Sequence, residues 1–373
     1  MPAPKCTDEQ ILEALEKHNG LRAPVAAELG LVYRALIERL NRMRARGIEI
    51  PDSSYHSTEV RGTSTLLGPK GEVRLQWIKE APTEKTREQW VQAVREAFAE
   101  AEPVKRIPTP PVASKRLLTV FPIGDMHVGA HSWIEETGSS YDVKIAEQLL
   151  VSAAEHLVDI SPPCDTCLIA NVGDYLHYDS HRTETPTNHN ALDADSRYLY
   201  MIRGGVRMLR TFIECALAKY RTVRVINSPG NHDPIGALWL SLALTLLYEK
   251  NPRVHIDQSP GRFAYVEHGK VMICVTHGDS VKIEKLPGVM AADQPEMWGR
   301  TKHRYGYTGH VHKDRVIELP GIWVESFRTL AAADAWAHGQ GYRSGRDIHS
   351  IVLHDEYGEV QRHTFNPAML KAA

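Results

Sequence analysis

The sequence predicts an α/β layered fold from about residue 115 onward, preceded by a small all-helical unit. Two observations predict the α/β part. Apolar, β-branched runs alternate with helical stretches such as 141–157 and 196–220, and five of these runs end in a tight turn that carries Asp, Asn or His. The third observation is a set of three short helical segments within the first fifty residues, each ending at a glycine.

Residues 1–50 predict a helix-turn-helix domain. The first helix starts after its cap Thr7, and helical segments over 24–29 and 32–46 follow. The last segment carries a stripe of arginines that could neutralise DNA phosphates, namely Arg34, Arg39, Arg42, Arg44 and Arg46. The arrangement resembles the Fis-like class of DNA-binding domains. A dimerisation or protein-docking module is the alternative.

Residues 51–114 connect this unit to the catalytic part. Strands over 60–67 and 72–79, joined by a glycine-containing turn, predict a β-hairpin. An amphipathic pattern over 83–101 predicts a helix, and four prolines within 102–114 predict a linker before the third region, residues 115–373.

The five turn motifs supply enough ligands for two metal ions. They contain Asp125, His127, Asp174, Asn231, His232, Asp233, His277, Asp279, His310 and His312. Imidazole nitrogen with carboxylate or amide oxygen, and no thiolate, suits manganese first, with iron, zinc, nickel or cobalt as alternatives. Two such ions about 3.5–4 Å apart can clamp both oxygens of a phosphoryl displacement, so the motifs predict phosphoester hydrolysis.

The same motifs resemble those of the calcineurin-like metallophosphoesterases, over the chain from about Lys115 to its end. The resemblance implies two facing β-sheets flanked by helices, a four-layer α-β-β-α fold. It implies one metal held by Asp125, His127, Asp174 and His312, and a second held by Asp174, Asn231, His277 and His310. His232 would protonate the leaving oxygen, and Asp233 would orient His232.

One further histidine narrows the range of expected substrates. His177 follows Asp174 in a spacing that resembles the DNA-repair nucleases of the Mre11 and SbcD type, which implies a second catalytic imidazole. The alternative is that His177 only packs on the segment after the strand. The leading interpretation is a DNA nuclease targeted by its helix-turn-helix domain. A phosphomonoesterase, a small-molecule or cyclic-nucleotide phosphodiesterase, and a non-catalytic DNA-binding regulator with a vestigial esterase domain are the alternatives.

Two groups of polar side chains are predicted to contact substrate. His181 and Arg182 lie in the polar segment 178–190, which follows the second motif and could cover the metal site. Arg300, Lys302 and Arg304 precede the last motif. Ordinary surface positions are the alternative for both groups. The stretch 334–346 resembles the tails of calcineurin-like proteins of tailed phages, and no role follows from its residues.

Composition places the chain among ordinary globular proteins. It has 373 residues, 42% of them hydrophobic and 24% charged, with a net charge of −2 that gives no broad footprint for nucleic acid. The apolar run 237–248 is too short to span a bilayer and predicts a buried helix. Five cysteines without a disulfide spacing, and no signal-peptide pattern, predict a cytoplasmic protein. DNA is the expected partner, no membrane is expected, and a homodimer is compatible with the sequence.

Overall fold

The chain divides into two compact units, Met1–Glu100 and Ala101–Ala373. The computed structural model describes residues 6–18, 25–26, 28–31, 35–36, 39–40, 42–43, 46, 48, 50, 58–67, 73–82, 104 and 106–371. The helix predicted over 83–101 lies outside the described residues. The helix-turn-helix interpretation and the three domain boundaries stay predictions.

The first unit begins with the predicted helix, α1 (Asp8–Lys17). Thr7 caps it by accepting a hydrogen bond from the Gln10 N–H, while the Gln10 side chain accepts from the Thr7 N–H. The apolar face of α1 buries Ile11 and Leu15 in a small core with Leu36 and other residues of the following segments. The predicted hairpin is also confirmed, since β1 (Thr58–Leu67) pairs antiparallel with β2 (Val73–Pro82).

The second unit contains eleven strands and seven helices within its described residues. The strands are β3 (Ser114–Ile123), β4 (Cys164–Asn171), β5 (Thr222–Asn227), β6 (Val254–Ile256), β7 (Ala264–His268), β8 (Val271–Val275), β9 (His303–Thr308), β10 (Arg315–Leu319), β11 (Ile322–Ser326), β12 (Ile348–His354) and β13 (Gly358–Phe365). The helices are α2 (Ile134–Thr137), α3 (Val143–Ile160), α4 (Tyr198–Lys219), α5 (Gly236–Tyr248), α6 (Leu286–Asp293), α7 (Pro295–Arg300) and α8 (Ala335–Gly339). Short 3₁₀ helices cover Ile283–Lys285 and Pro367–Lys371.

These strands form two sheets. One has the order β13-β12-β3-β4-β5-β6 and the other β10-β11-β9-β8-β7. Strands β3, β4 and β5 run parallel in the first sheet, and β8 and β9 run parallel in the second. Parallel neighbours need crossover connections, which α3 and α4 supply in the first sheet.

The sheets pack face to face, with helices on both outer faces. Alternation along β8 shows why: Ile273 points into a core shared with Leu168 of the other sheet, whereas Cys274 points outward against Leu286 of α6. On the far side, Phe121 of β3 contacts Phe212 of α4 with ring centroids 5.3 Å apart. The predicted four-layer α/β architecture is therefore confirmed.

The parallel strands bring the ligand motifs to one place. Each of β3, β4, β5, β8 and β9 ends two to four residues before a predicted ligand. Because parallel strands end at the same edge of a sheet, their five following turns converge. Among the described helices, none is long and apolar enough to cross a membrane.

Candidate metal centre

The first ligand group consists of Asp125, His127 and His312, whose ligand atoms all lie within 4.8 Å of one another. The Nε2 atoms of His127 and His312 are 3.1 Å apart, and His312 Nε2 is 3.4 Å from Asp125 Oδ1. Two imidazoles and a carboxylate that converge on one point are a suitable donor set for a divalent transition metal.

The second group consists of Asp174, His277 and His310, also within 4.8 Å of one another. His277 Nε2 lies 3.0 Å from Asp174 Oδ2 and 3.0 Å from Asn231 Oδ1, which adds the amide oxygen to the group. The other ring nitrogen, His277 Nδ1, donates to the Val172 carbonyl at 3.1 Å. That bond directs Nε2 toward the group, as a backbone partner commonly does for a metal-binding imidazole.

The two groups adjoin, because His277 Nδ1 of the second is 3.9 Å from Asp125 Oδ1 of the first. The structure therefore brings all seven expected ligands together at the common edge of the strands. No ligand atom comes from sulfur, since the five cysteines are free and none belongs to either ligand group. The residues present fit two borderline-hard divalent ions.

The backbone at the ligands is unusual. Among the described residues, six other than glycine have positive φ, and five of them are predicted ligands: Asp125, His127, Asp174, His310 and His312. The left-handed region costs most side chains roughly 1–3 kcal/mol, and such residues persist where the surrounding structure fixes them. The concentration of this strain at the ligands indicates a site built for function.

Glycines in the motifs make room for the carboxylates. A Cβ at Gly230 would lie 2.0 Å from Asp174 Oδ1, and one at Gly309 would lie 2.4 Å from Asp125 Oδ2. Gly173 has φ +102°, and its Cβ would meet the His277 ring at 2.7 Å. Any other residue at these positions would displace a ligand.

Burial and charge act in opposite directions on the ligand histidines. Burial lowers the pKa of His277, but the Asp174 and Asp125 carboxylates outweigh it and raise that pKa to about 10. Burial holds the pKa of His127 well below its usual range. Despite its burial, the histidines around Asp174 keep its pKa low, so the carboxylate is ionised. A metal ion bound here would displace the proton of His277.

His232 lies beside the two groups with its ring fixed. Its Nδ1 is 2.8 Å from the carbonyl oxygen of His177, to which it donates, and its N–H donates to Asp174 Oδ1 at 2.7 Å. The tautomer with hydrogen on Nδ1 leaves Nε2 available to a substrate. The ring lies 4.7 Å from that of His127, between centroids.

Asp233 does not orient His232, contrary to the expectation from the sequence. Its buried carboxylate accepts three backbone N–H bonds, from Asp174 at 3.1 Å, Leu176 at 3.0 Å and Gly230 at 3.1 Å. Burial, reinforced by the charge of Asp174, raises the pKa of Asp233 to about 7. Asp233 therefore ties the turn after β4 to the turn after β5, and the His177 carbonyl is the group that orients His232.

The His177 side chain is buried in a cluster of imidazoles. Its Nδ1 is 3.3 Å from Nδ1 of His127, and its ring stacks on His232 at 5.5 Å between centroids. Burial lowers the pKa of His177 to about 3, so the ring is neutral. Its Nε2 has no hydrogen-bond partner among the described residues.

A cavity of about 1040 Å³ opens beside the ligand groups, and His177 and His232 are among its lining residues. The predicted covering segment contributes Thr185, Asn188 and Asn190 to the lining. His181 and Arg182 of that segment are absent from the lining. The His181 ring contacts Tyr198, and Arg182 is 81% exposed and pairs with Glu184.

Arg300, Lys302 and Arg304 are not brought to the site. They lie before or at the start of β9, whereas the ligands follow its other end, roughly 20 Å away at 3.3 Å per residue. Arg300 pairs with Glu267 at 2.6 Å. Arg304 donates to three backbone carbonyls and packs over Trp298, so both arginines stabilise the fold.

Part of the arginine stripe in the first unit is engaged within that unit. Arg39 and Arg46 both bind Asp8, at 2.8 and 2.5 Å. These arginines, Arg46 foremost, lower the pKa of Asp8. Arg34 and Arg44 lie outside the described residues. DNA binding by this unit stays a prediction.

No protein-family model matches the chain, and no curated protein matches it. Among solved structures it is similar to a dimetal phosphatase from Danio rerio, with TM-score 0.35, 9% identity, and coverage of 67% of this chain and 98% of that chain. It is also similar to Vacuolar Protein Sorting 29 from Cryptosporidium parvum, with TM-score 0.31, 15% identity, and coverage of 67% and 98%. A third is a conserved uncharacterized protein of Streptococcus pneumoniae TIGR4, described as a predicted phosphoesterase, with TM-score 0.30, 12% identity, and coverage of 67% and 98%.

Proposed function

We propose that the chain is a two-metal phosphodiesterase that hydrolyses DNA. The observation that supports this most is the pair of adjoining ligand groups with His232 beside them, its ring held by the His177 carbonyl at 2.8 Å. A regulator with a decayed esterase domain would have no reason to keep all seven ligands and the strained backbone that positions them.

The ligand groups and His232 have different roles in the proposed reaction. Asp125, His127 and His312 would hold one ion, and Asp174, Asn231, His277 and His310 would hold the other. Bound ions would supply Lewis-acid activation of the phosphoryl oxygens and of the attacking water. The protonated His232 ring would donate its Nε2 proton to the leaving oxygen and become neutral, while its Nδ1 keeps its hydrogen and its bond to the carbonyl of His177.

We favour DNA over a small monoester as the substrate, because the cavity beside the ligand groups is large. The cavity of about 1040 Å³ is at the upper limit of small-molecule pockets, which occupy roughly 300–1000 Å³. A monoester needs only the ligand groups and His232. His177 lines this cavity and its Nε2 has no partner among the described residues, so it would act on a DNA phosphodiester. A role limited to packing against His127 would instead leave a phosphomonoesterase, the second candidate.

The proposal also includes delivery to DNA by residues 1–50. It is supported by the helical core around Ile11 and Leu36 and by the arginines of the third segment. Removal of residues 1–50 should weaken DNA binding and reduce its salt dependence, with hydrolysis of a small diester retained. Unchanged DNA affinity would assign the unit to protein docking.

The test of the reaction compares substrates. Manganese-loaded protein is incubated with single-stranded DNA, duplex DNA, a phosphodiester and a phosphomonoester, with His177→Ala measured in parallel. The proposal expects faster hydrolysis of DNA than of the monoester, and a larger loss on DNA than on an activated phenyl ester in the variant. Faster hydrolysis of the monoester, together with an equal loss of activity on all substrates in His177→Ala, would favour the phosphomonoesterase.

A further inference from the structure

The stretch 334–346, to which the sequence assigned no role, forms one wall of the cavity. Trp336 and Tyr342 are among its lining residues. Both rings stay accessible, with Trp336 65% exposed and Tyr342 47% exposed. Large aromatic side chains that line a cavity without being buried are typical of binding surfaces.

The two rings form a pair on a fixed backbone. Their centroids are 5.9 Å apart, with 51° between the planes. Asp334 caps α8 by accepting from the Ala337 N–H at 2.8 Å, and Arg343 donates to the Tyr342 carbonyl at 2.9 Å. These bonds fix the backbone within the segment, and Arg346 joins it to the Leu330 carbonyl at 2.9 Å, so the aromatic pair is formed before any ligand arrives.

A basic side chain adjoins this aromatic wall. Lys313 directly follows the ligand His312, and its Nζ is 5.6 Å from the centroid of the Tyr342 ring. Lys313 and Arg315 also line the cavity. A basic side chain beside aromatic faces is the arrangement that binds the phosphates and stacked bases of a single strand.

We infer that Trp336 and Tyr342 form a stacking platform for an unpaired base of single-stranded nucleic acid, with the adjoining phosphodiester at the ligand groups. This inference names the substrate class of the same site and relies on the proposed function for bond cleavage. The bases of an intact duplex stack on one another and offer no free face, so the platform selects single strands or frayed ends.

Binding to matched oligonucleotides tests the platform without hydrolysis. Full-length protein is mixed, in the presence of a chelator, with a fluorescent oligothymidylate or with the same oligonucleotide carrying abasic residues, and anisotropy gives both affinities. The ratio of the two cancels the contribution of the phosphates. Wild type should bind the thymine form about 5- to 150-fold more tightly per stacked base.

The variants locate the effect. Trp336→Ala and Tyr342→Ala should each lower the ratio toward one, and Trp336→Phe should retain most of it. Trp323→Ala is the matched control, because Trp323 is 50% exposed on β11 and does not line the cavity. Its ratio should equal that of wild type. Should Trp336→Ala not fold, Tyr342→Ala alone decides the test.

Two results overturn the platform: equal affinity of wild type for both oligonucleotides, or a ratio that survives in the alanine variants. Manganese-dependent cleavage of the same oligothymidylate is measured in parallel. Base discrimination without cleavage supports the platform and rejects the nuclease. Cleavage without discrimination supports the nuclease and rejects the platform.

Discussion

Asp233 offers the sharpest test of how the centre is assembled. Its Oδ1 accepts from the N–H groups of Asp174 and Gly230, and its Oδ2 accepts from that of Leu176. In Asp233→Asn the amide oxygen can keep the first two bonds, but the amide nitrogen faces the Leu176 N–H, so one buried donor loses its partner. In Asp233→Ala all three donors lose theirs.

The expected loss of stability follows from the number of backbone donors left without a partner. An unsatisfied buried donor costs about 1–3 kcal/mol, so Asp233→Asn should lower the free energy of unfolding by about 1–3 kcal/mol and Asp233→Ala by about 3–9 kcal/mol. Because whole domains are stable by only about 5–15 kcal/mol, the alanine variant should be partly or wholly unfolded at 37 °C.

Urea denaturation in the presence of a chelator measures this without the added stability of bound metal. Asp257→Ala is the control, since the Asp257 carboxylate accepts an exposed hydrogen bond from the Ser259 N–H, at 2.8 Å. The reasoning would be refuted if Asp233→Asn kept its stability and bound metal but lost at least 100-fold in kcat. That result would return Asp233 to the role of orienting His232.

The remaining predictions concern the ligands and the proton donor. Gly230→Ala should abolish metal binding at the second group, because its Cβ would lie 2.0 Å from Asp174 Oδ1. Gly288→Ala is the control and should bind metal as wild type does, because a Cβ at Gly288 would have no atom within 4 Å. Metal content is measured by elemental analysis, and equal content in the two variants would contradict the account. His232→Ala should keep both ions yet hydrolyse its substrate about 10²–10⁴-fold more slowly. His255→Ala is the control, because His255 is exposed. Loss of metal from His232→Ala would show that His232 has a structural role.

Much of the fold follows from local pattern. The helices Val143–Ile160, Tyr198–Lys219 and Gly236–Tyr248 lie close to their predicted positions, because each carries a long apolar pattern between clear boundaries. The ligands could be anticipated as a set, since residues after parallel strands meet at one edge of a sheet.

Other features depend on distant contacts. Asp233 accepts hydrogen bonds from Asp174 and Leu176, which precede it by 59 and 57 positions in the sequence. No local sequence pattern reveals such contacts. The aromatic wall from 334–346 likewise reaches the cavity only through tertiary packing. The distance of Arg300 and Arg304 from the ligands could have been predicted from the sequence, because Arg300 precedes β9 and Arg304 lies at its start, whereas the ligands follow its far end.

The central claim is that the chain holds two metal ions at adjoining groups. Chelator-stripped protein is dialysed against saturating manganese, and bound manganese per chain is measured by elemental analysis. The account predicts two ions per chain in wild type, and weaker binding of both in Asp174→Asn, which removes a charge that acts on both groups. A plateau at one ion per chain or fewer would contradict it.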